Sequence, residues 1–557
     1  MNSSSADNFS LDNSGLRRDL PRDTLSRLSI DNLRRFIGKE LVEMLDNDVY
    51  RMTLPADLAE VLLLKDGYDV LGNREIREAL IDSLSAEKIS QMKSLINKID
   101  GGYQDFYTYF KTWTTSKSNI FVEILGWSDA FKKSETKDNR GSYELAACNF
   151  GEKVILRGYL HPYQKIIKDK ISSSLKQSSS RAMVQMPTGS GKTFTALETF
   201  VDLLRQPRET KQRYLVWLVN KPDLAEQALK SFEELWKIKG DRPIKLWRFY
   251  NQWGGPPLQE DGEEGIVFCT YDKLYEIIKR KSEVSYRVFL KLAESTQYLI
   301  VDEAHMSVAE TYSTIIHAFS TSFKAKLVGL SATPYRDDTD EYSELLQMYR
   351  RNIITIDENE KGESIDNAIA YLQEQKYLAK VEMIPFETKV HSEETNEEKL
   401  LRELSRIPSR NLQITRLIKE ADESKEKTMV FGCTREHVIL LRMLCRKEGI
   451  NSKIILGETS PIERQEIFDQ FKDKESDLYV LINLEILSTG IDLPNIEKII
   501  LARPVKSPTL YSQMIGRALR GPKNGGNEKN KIINIIDNLT AYGDINTLYN
   551  SFMNDWT

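Results

Sequence analysis

From Lys153 onward, short runs of β-branched and aliphatic residues alternate with amphipathic stretches. That alternation restricts the chain to parallel sheets flanked by helices. A first block has runs at Ala182–Met186, Tyr214–Val219, Ile266–Thr270, Tyr298–Val301 and Leu327–Leu330. A second has runs at Thr428–Phe431, Lys453–Ile455, Leu478–Ile482, Lys498–Ala502 and Lys531–Ile536, beyond a charged crossing region at Gly362–Glu398. The pattern predicts an α/β chain of two tandem, doubly wound parallel-sheet domains, at residues 153–385 and 386–540.

The preceding residues have a different period. Leu33, Phe36, Ile37, Leu41, Met44 and Leu45 recur at helical spacing behind Asp31, a candidate N-cap. Further helices are predicted at Ala56–Leu64, Arg74–Leu84 and Ala86–Ile99. An aromatic stripe follows (Tyr103, Phe106, Phe110, Trp113), which fits helix packing better than base stacking. We therefore expect an all-helical N-terminal accessory domain at 25–114 and a polar linker at 115–152. Residues 1–24 read as a flexible tail without the apolar core of a signal peptide, and 541–557 as a C-terminal tail.

Composition narrows the partners. No run of eighteen apolar residues is present, so no membrane span is expected. Cys148, Cys269, Cys433 and Cys445 form no CxxC pair, which suits free thiols in a reducing cytoplasm. The five histidines (His161, His305, His317, His391, His437) have no metal-cluster spacing, so any cutting would fall to a nuclease partner. A net charge of −5 argues against a simple phosphate binder, though local patches and backbone amides can hold a strand.

The segment with most chemistry is Pro187-Thr188-Gly189-Ser190-Gly191-Lys192-Thr193, set between a predicted strand and helix. Its glycines let backbone N–H groups converge on phosphate oxygens at a helix N-terminus. Lys192 would reach the outer phosphates, and Thr193 would hold Mg²⁺. About a hundred residues on, an apolar strand ends in Asp302-Glu303. Asp302 is the second candidate metal ligand, and Glu303 the residue that orients or deprotonates the attacking water.

Asp302-Glu303-Ala304-His305 is a DEAH sequence, and with it the chain resembles the superfamily 2 helicases over about Lys153–Asn538. Leu160-His161-Pro162-Tyr163-Gln164 resembles the Q-motif, which implies an adenine contact for Gln164. Leu218–Gln227 is similar to motif Ia, and Phe268-Cys269-Thr270-Tyr271 to a strand-contacting motif with Thr270 on a phosphate. Gly329–Arg336 resembles motif III, Met429–Thr434 motif IV and Leu487–Pro494 motif V. From motif V, the resemblance implies nucleotide contacts for Gly490 and Asp492 and strand contacts for Ser488 and Thr489. Tyr511–Gly521 resembles motif VI. Its Gln513, Arg517 and Arg520 are candidate catalytic residues, the two arginines three apart on one helical face.

The resemblance is nearest to the restriction-subunit, RadD and XPB-like group. It implies two RecA-like domains, ATP and Mg²⁺ as cofactors, and nucleic acid as partner, DNA favoured over RNA. The expected activity is that of a DNA helicase or duplex translocase, in bacterial genome maintenance or antiphage defence. The alternatives are an ATP-driven switch that regulates an effector protein, and an RNA helicase.

Overall fold

The computed structural model describes residues 16–96, 103–133, 141–146, 160–177, 179–206, 214–254, 264–279, 283–332, 339–457, 459–484, 493, 496–543 and 549. Its strands are β1 (Ser142–Leu145), β2 (Arg181–Gln185), β3 (Tyr214–Val219), β4 (Ile244–Phe249), β5 (Gly265–Thr270), β6 (Thr296–Asp302), β7 (Lys326–Ser331) and β8 (Ile353–Ile354). They continue with β9 (Lys380–Ser392), β10 (Thr428–Phe431), β11 (Ser452–Ile455), β12 (Val480–Asn483), β13 (Lys498–Leu501) and β14 (Lys529–Leu539).

Two sheets result, ordered β1-β4-β5-β3-β6-β7-β2-β8 and β11-β12-β10-β13-β14-β9. Apart from β1, which runs antiparallel to β4, the strand pairs are parallel. Along β3, Leu215, Trp217 and Val219 enter one core while Val216 and Leu218 enter another. Both faces of the sheet are thus covered, as in a doubly wound domain. The architecture is two RecA-like α/β domains behind a helical N-terminal region.

That region begins with a helix at Leu16–Leu25, most of which falls within the expected tail at 1–24. The apolar series from Leu33 to Leu45 is buried on two helices, Ile30–Ile37 and Lys39–Leu45, broken at Gly38. Ser29 is the N-cap, accepting the Asn32 N–H, and Asp31 lies in the first turn. A Ser hydroxyl caps as well as a carboxylate does. Phe106 and Phe110 of the aromatic stripe pack inward, and Phe110 and Trp113 both meet the Phe121 ring edge-on.

The expected linker at 115–152 contains a helix, Thr115–Leu125, capped by Thr114 and burying Phe121, Val122, Ile124 and Leu125. Its polar first turn conceals an amphipathic helix. The same stretch holds β1, an edge strand of the first sheet. The 385/386 boundary falls inside β9, an edge strand of the second sheet. An edge position, paired on one side only, tolerates the charges and the Pro385 that make this segment read as a crossing region. In the C-terminal tail, the Tyr549 hydroxyl accepts the Val505 N–H at 3.0 Å and its ring stacks on Tyr511.

The helical region does not stand apart. Its buried side chains share one core with Ile414, Val438, Leu441 and Leu444 and with the β10, β12, β13 and β14 side chains of one face of the second sheet. Among the described residues, no helix is long and apolar enough to cross a membrane.

Candidate nucleotide site

The loop after β2 turns through Gly189 and Gly191 at φ +84° and +81°, and Gly191 caps the helix Lys192–Leu204. A side chain is strained in that left-handed conformation, so glycine is what lets the loop close on itself. The Ser190 N–H and hydroxyl both donate to Pro187 O, at 3.1 and 2.7 Å. From beneath, the Gln164 Nε2 and the Tyr163 hydroxyl donate to Ser190 O at 2.9 and 2.8 Å. Gln164 Oε1 accepts the His161 N–H at 2.8 Å. Both ends of the Gln164 amide are therefore engaged by backbone. The residue props the phosphate loop, where the resemblance implies an adenine contact.

Opposite the loop, β6 delivers Asp302 and Glu303. Lys192 Nζ lies 3.8 Å from Glu303 Oε1, and Thr193 hydrogen-bonds the Asp302 carboxylate. Glu303 adopts a left-handed φ of +54°, an uncommon conformation outside glycine that recurs at functional sites. Its other oxygen is 3.4 Å from His305 Nδ1, which lies 3.5 Å from the Ser331 hydroxyl at the end of β7. Thr193, Asp302, Lys192 and Glu303, read from separate segments, meet in one cluster.

Burial pushes Asp302 up to about 6; Lys192 opposes that rise and Glu303 adds to it. The native carboxyl then binds more protons than the unfolded chain between roughly pH 4 and 6. Its ionisation costs stability, a cost that is absent below the unfolded pKa and complete above the native one. Asp302→Asn should therefore raise the urea midpoint of nucleotide-free protein at pH 7.5, with the gain shrinking toward pH 4.5. An unchanged midpoint at pH 7.5 would contradict a strained carboxylate.

The second domain closes over the loop. A Cβ on Gly516 would fall 2.1 Å from Thr188 Cγ2, so only glycine permits this approach. A Cβ on Gly189 would lie 3.3 Å from Leu378 Cδ2 and 3.5 Å from Leu519 Cβ. His161 Nε2 donates to Asn524 Oδ1 across the cleft at 2.7 Å, and Tyr377 packs on His161 and Tyr163. Sequence carries no signal for Tyr377 or Asn524, which reach this cluster only through the fold.

The arginine segment differs from expectation. The helix Pro508–Ile515, with Gln513 half-buried on it, stops before both arginines and gives way to a 3-10 turn at Gly516–Ala518. Arg520 then forms an antiparallel bridge with Leu378. The helix ends because Gly516, a poor helix former, is held against Thr188. Burial lowers the pKa of the half-buried Arg520 guanidinium. The Arg517 side chain, and all of Ser488, Thr489, Gly490 and Asp492, lie outside the described residues. Thr270 ends β5 but is buried, and its hydroxyl accepts the Lys273 N–H at 3.4 Å. Among the described residues, no group of three His, Cys, Asp or Glu could hold a metal, and Cys269, Cys433 and Cys445 are buried free thiols.

A phosphate loop and a paired-carboxylate strand, facing a second RecA-like domain across a cleft, define a two-domain ATPase of the helicase type. Residues 158–336 match the family described as type III restriction enzyme, res subunit, and residues 410–522 the helicase conserved C-terminal domain. The chain belongs to the superfamily 2 helicases, in the restriction-subunit-like group, and carries their ATP-hydrolysing domains.

It is 30% identical over 386 residues to the putative ATP-dependent helicase IRC3 of Saccharomyces cerevisiae, covering 66% of this chain and 51% of that protein. It is 24% identical to the type I restriction enzyme EcoKI endonuclease subunit of Escherichia coli K12, over 77% of this chain and 37% of that one. A solved fragment of a putative HsdR subunit of a type I restriction enzyme from Vibrio vulnificus YJ016 superposes with a TM-score of 0.46 at 21% identity, over 67% of this chain and 63% of that one. The chain spans about half the length of the curated relatives it matches.

Proposed function

We propose that the chain is a nucleic-acid-stimulated ATPase that acts on DNA as a helicase or duplex translocase. The observation that carries this is the contact of the phosphate loop with the Gly516–Arg520 segment across the cleft. Residues of both domains then surround one nucleotide, so its turnover is tied to domain movement.

Backbone N–H groups of Gly189 and of Gly191 to Thr193, with the Lys192 ammonium, would hold the phosphates. Thr193 and Asp302 offer the oxygen donors that a hard cation such as Mg²⁺ prefers. When bound, Mg²⁺ supplies charge neutralisation on the phosphate oxygens. Glu303, steered by Lys192 and His305, orients the water and takes its proton. Arg520, with Arg517 and Gln513, stabilises the charge that develops on the transferred phosphoryl group once the cleft is shut. Gly490 and Asp492 belong to the nucleotide side of this reading, and Thr270, Ser488 and Thr489 to the strand side.

DNA is favoured because restriction-enzyme subunits are among the relatives, and genome maintenance or antiphage defence fits the same kinship. A second reading, a switch that passes nucleic-acid state to an effector or nuclease, draws on the core shared by the helical region and the second domain.

Phosphate release in the presence of single-stranded, duplex and forked DNA and of RNA tests the proposal. Stimulation by DNA is expected, at least about tenfold. Stimulation by RNA alone would replace DNA as substrate, and a flat response to every nucleic acid would defeat the motor reading. Strand displacement or translocation separates motor from switch.

A further inference from the structure

The mechanism above leaves unused a buried polar chain that runs from the helical region to the second domain. Its far end is the loop Gly432-Cys433-Thr434, between β10 and the helix Arg435–Lys447. This loop lies at the carboxyl edge of a parallel sheet, where ligands bind in open α/β folds. In the first domain that edge carries the phosphate loop, Thr270, Asp302 and Ser331.

The loop is fastened from below. The Cys433 N–H donates to His437 Nδ1 at 3.0 Å, and Thr434 caps the helix by accepting the His437 N–H at 3.1 Å. His437 is fully buried, and burial, with Arg410 nearby, holds its pKa well below the usual histidine range. The ring is therefore neutral, and its Nε2–H donates to Asn411 Oδ1 at 3.0 Å. The Asn411 amide has only one orientation left: Nδ2 donates to Ser405 O at 2.8 Å and to the Tyr50 hydroxyl at 3.1 Å. Tyr50 is 1% exposed and comes from the helical region, 361 residues away from Asn411. Its own carbonyl accepts Lys447 Nζ at 3.0 Å. The Cys433 N–H, the His437 Nε2–H and both Asn411 Nδ2 hydrogens each have a defined acceptor, which couples the Tyr50 end of the chain to the loop.

We infer that Tyr50 is a positioning residue of the motor: through Asn411 and His437 it sets the Gly432–Thr434 loop, and so makes the helical region an integral part of the second domain's ligand-facing edge. The functional half of this inference rests on the proposed function, in which nucleic acid stimulates turnover and Ser488 and Thr489 of the second domain belong to the strand side.

Tyr50→Phe keeps the ring and its packing but leaves one Asn411 N–H without its acceptor. Tyr68→Phe is the control. It removes another hydroxyl bond of the same interface, the one from Tyr68 to Glu466 Oε2 at 3.1 Å, which lies off the chain. Two readouts are taken on the full chain. Hydrogen exchange over residues 432–436 should become about tenfold faster in Tyr50→Phe and stay unchanged in Tyr68→Phe. The DNA concentration for half-maximal ATPase stimulation should rise about three- to tenfold in Tyr50→Phe alone, with basal turnover and maximal rate preserved. Unaltered exchange overturns the inference, as does faster exchange with no shift in half-saturation. Equal effects of the two variants would also overturn it. A wild-type chain that no nucleic acid stimulates would instead defeat the proposed function, and the exchange readout would still judge whether Tyr50 sets the loop.

Discussion

Replacing Lys192 with alanine is expected to lower ATP turnover at least about 10²-fold while leaving the chain folded. Lys192 opens the helix Lys192–Leu204 and is only 12% exposed, with its ammonium 3.8 Å from Glu303. Alanine is the best helix former, so the helix loses nothing locally. What is lost is an ammonium that faces both carboxylates of the site. The same ammonium holds down the Asp302 pKa, which is already raised to about 6. The variant should therefore bind Mg²⁺–nucleotide with a pH dependence displaced upward, because Asp302 must ionise to act as a ligand. Steady-state phosphate release gives the first result and nucleotide binding against pH the second. Turnover within a few-fold of wild type would move the phosphate site elsewhere.

The largest effect on stability is expected at Arg410. Its guanidinium and the Asp537 carboxylate are both completely buried and lie 2.8 Å apart. Arg410 Nη2 also donates to Ala502 O at 2.8 Å, and Asp537 accepts the Thr388 hydroxyl at 2.5 Å. The pair thereby ties the helix Pro408–Glu423 to β9, to β14 and to the end of β13. Arg410→Ala strands a buried carboxylate, which costs about 3–5 kcal/mol. Replacing both partners with apolar residues of similar volume, Arg410→Met with Asp537→Leu, should recover most of that loss, because no charge is left buried. The transition that reports the second domain in urea denaturation is the measurement. A loss below about 1 kcal/mol in Arg410→Ala, or a double variant as unstable as the single one, would show that the pair is not dry.

Much of the candidate site is legible in the amino-acid sequence. Tyr214–Val219 and Thr428–Phe431 occupy the predicted ranges because they are largely apolar runs buried on both faces. β9 escapes the pattern because an edge strand exposes one face and alternates charge with apolar residues, which resembles a loop in composition. The helix Thr115–Leu125 escapes it because its first turn is polar. The two arginines of the Tyr511–Gly521 segment have helical spacing in sequence. Contact between Gly516 and Thr188 ends the helix before them, and spacing cannot report a contact with a residue of the other domain.

What the sequence determined by itself was the chemistry held in contiguous segments. A strand, a glycine-bearing turn and a helix start make the candidate phosphate cradle from local backbone geometry alone, and a strand ending in Asp302-Glu303 carries its carboxylates to a sheet edge wherever the sheet lies. The tertiary structure alone decided which side chains meet across long separations. His161 reaches Asn524 over 363 residues, Tyr50 reaches Asn411 over 361, and Gln164 turns under Ser190. Such pairings depend on how whole elements dock, and periodicity along one segment contains no information about the partner that closes the hydrogen bond.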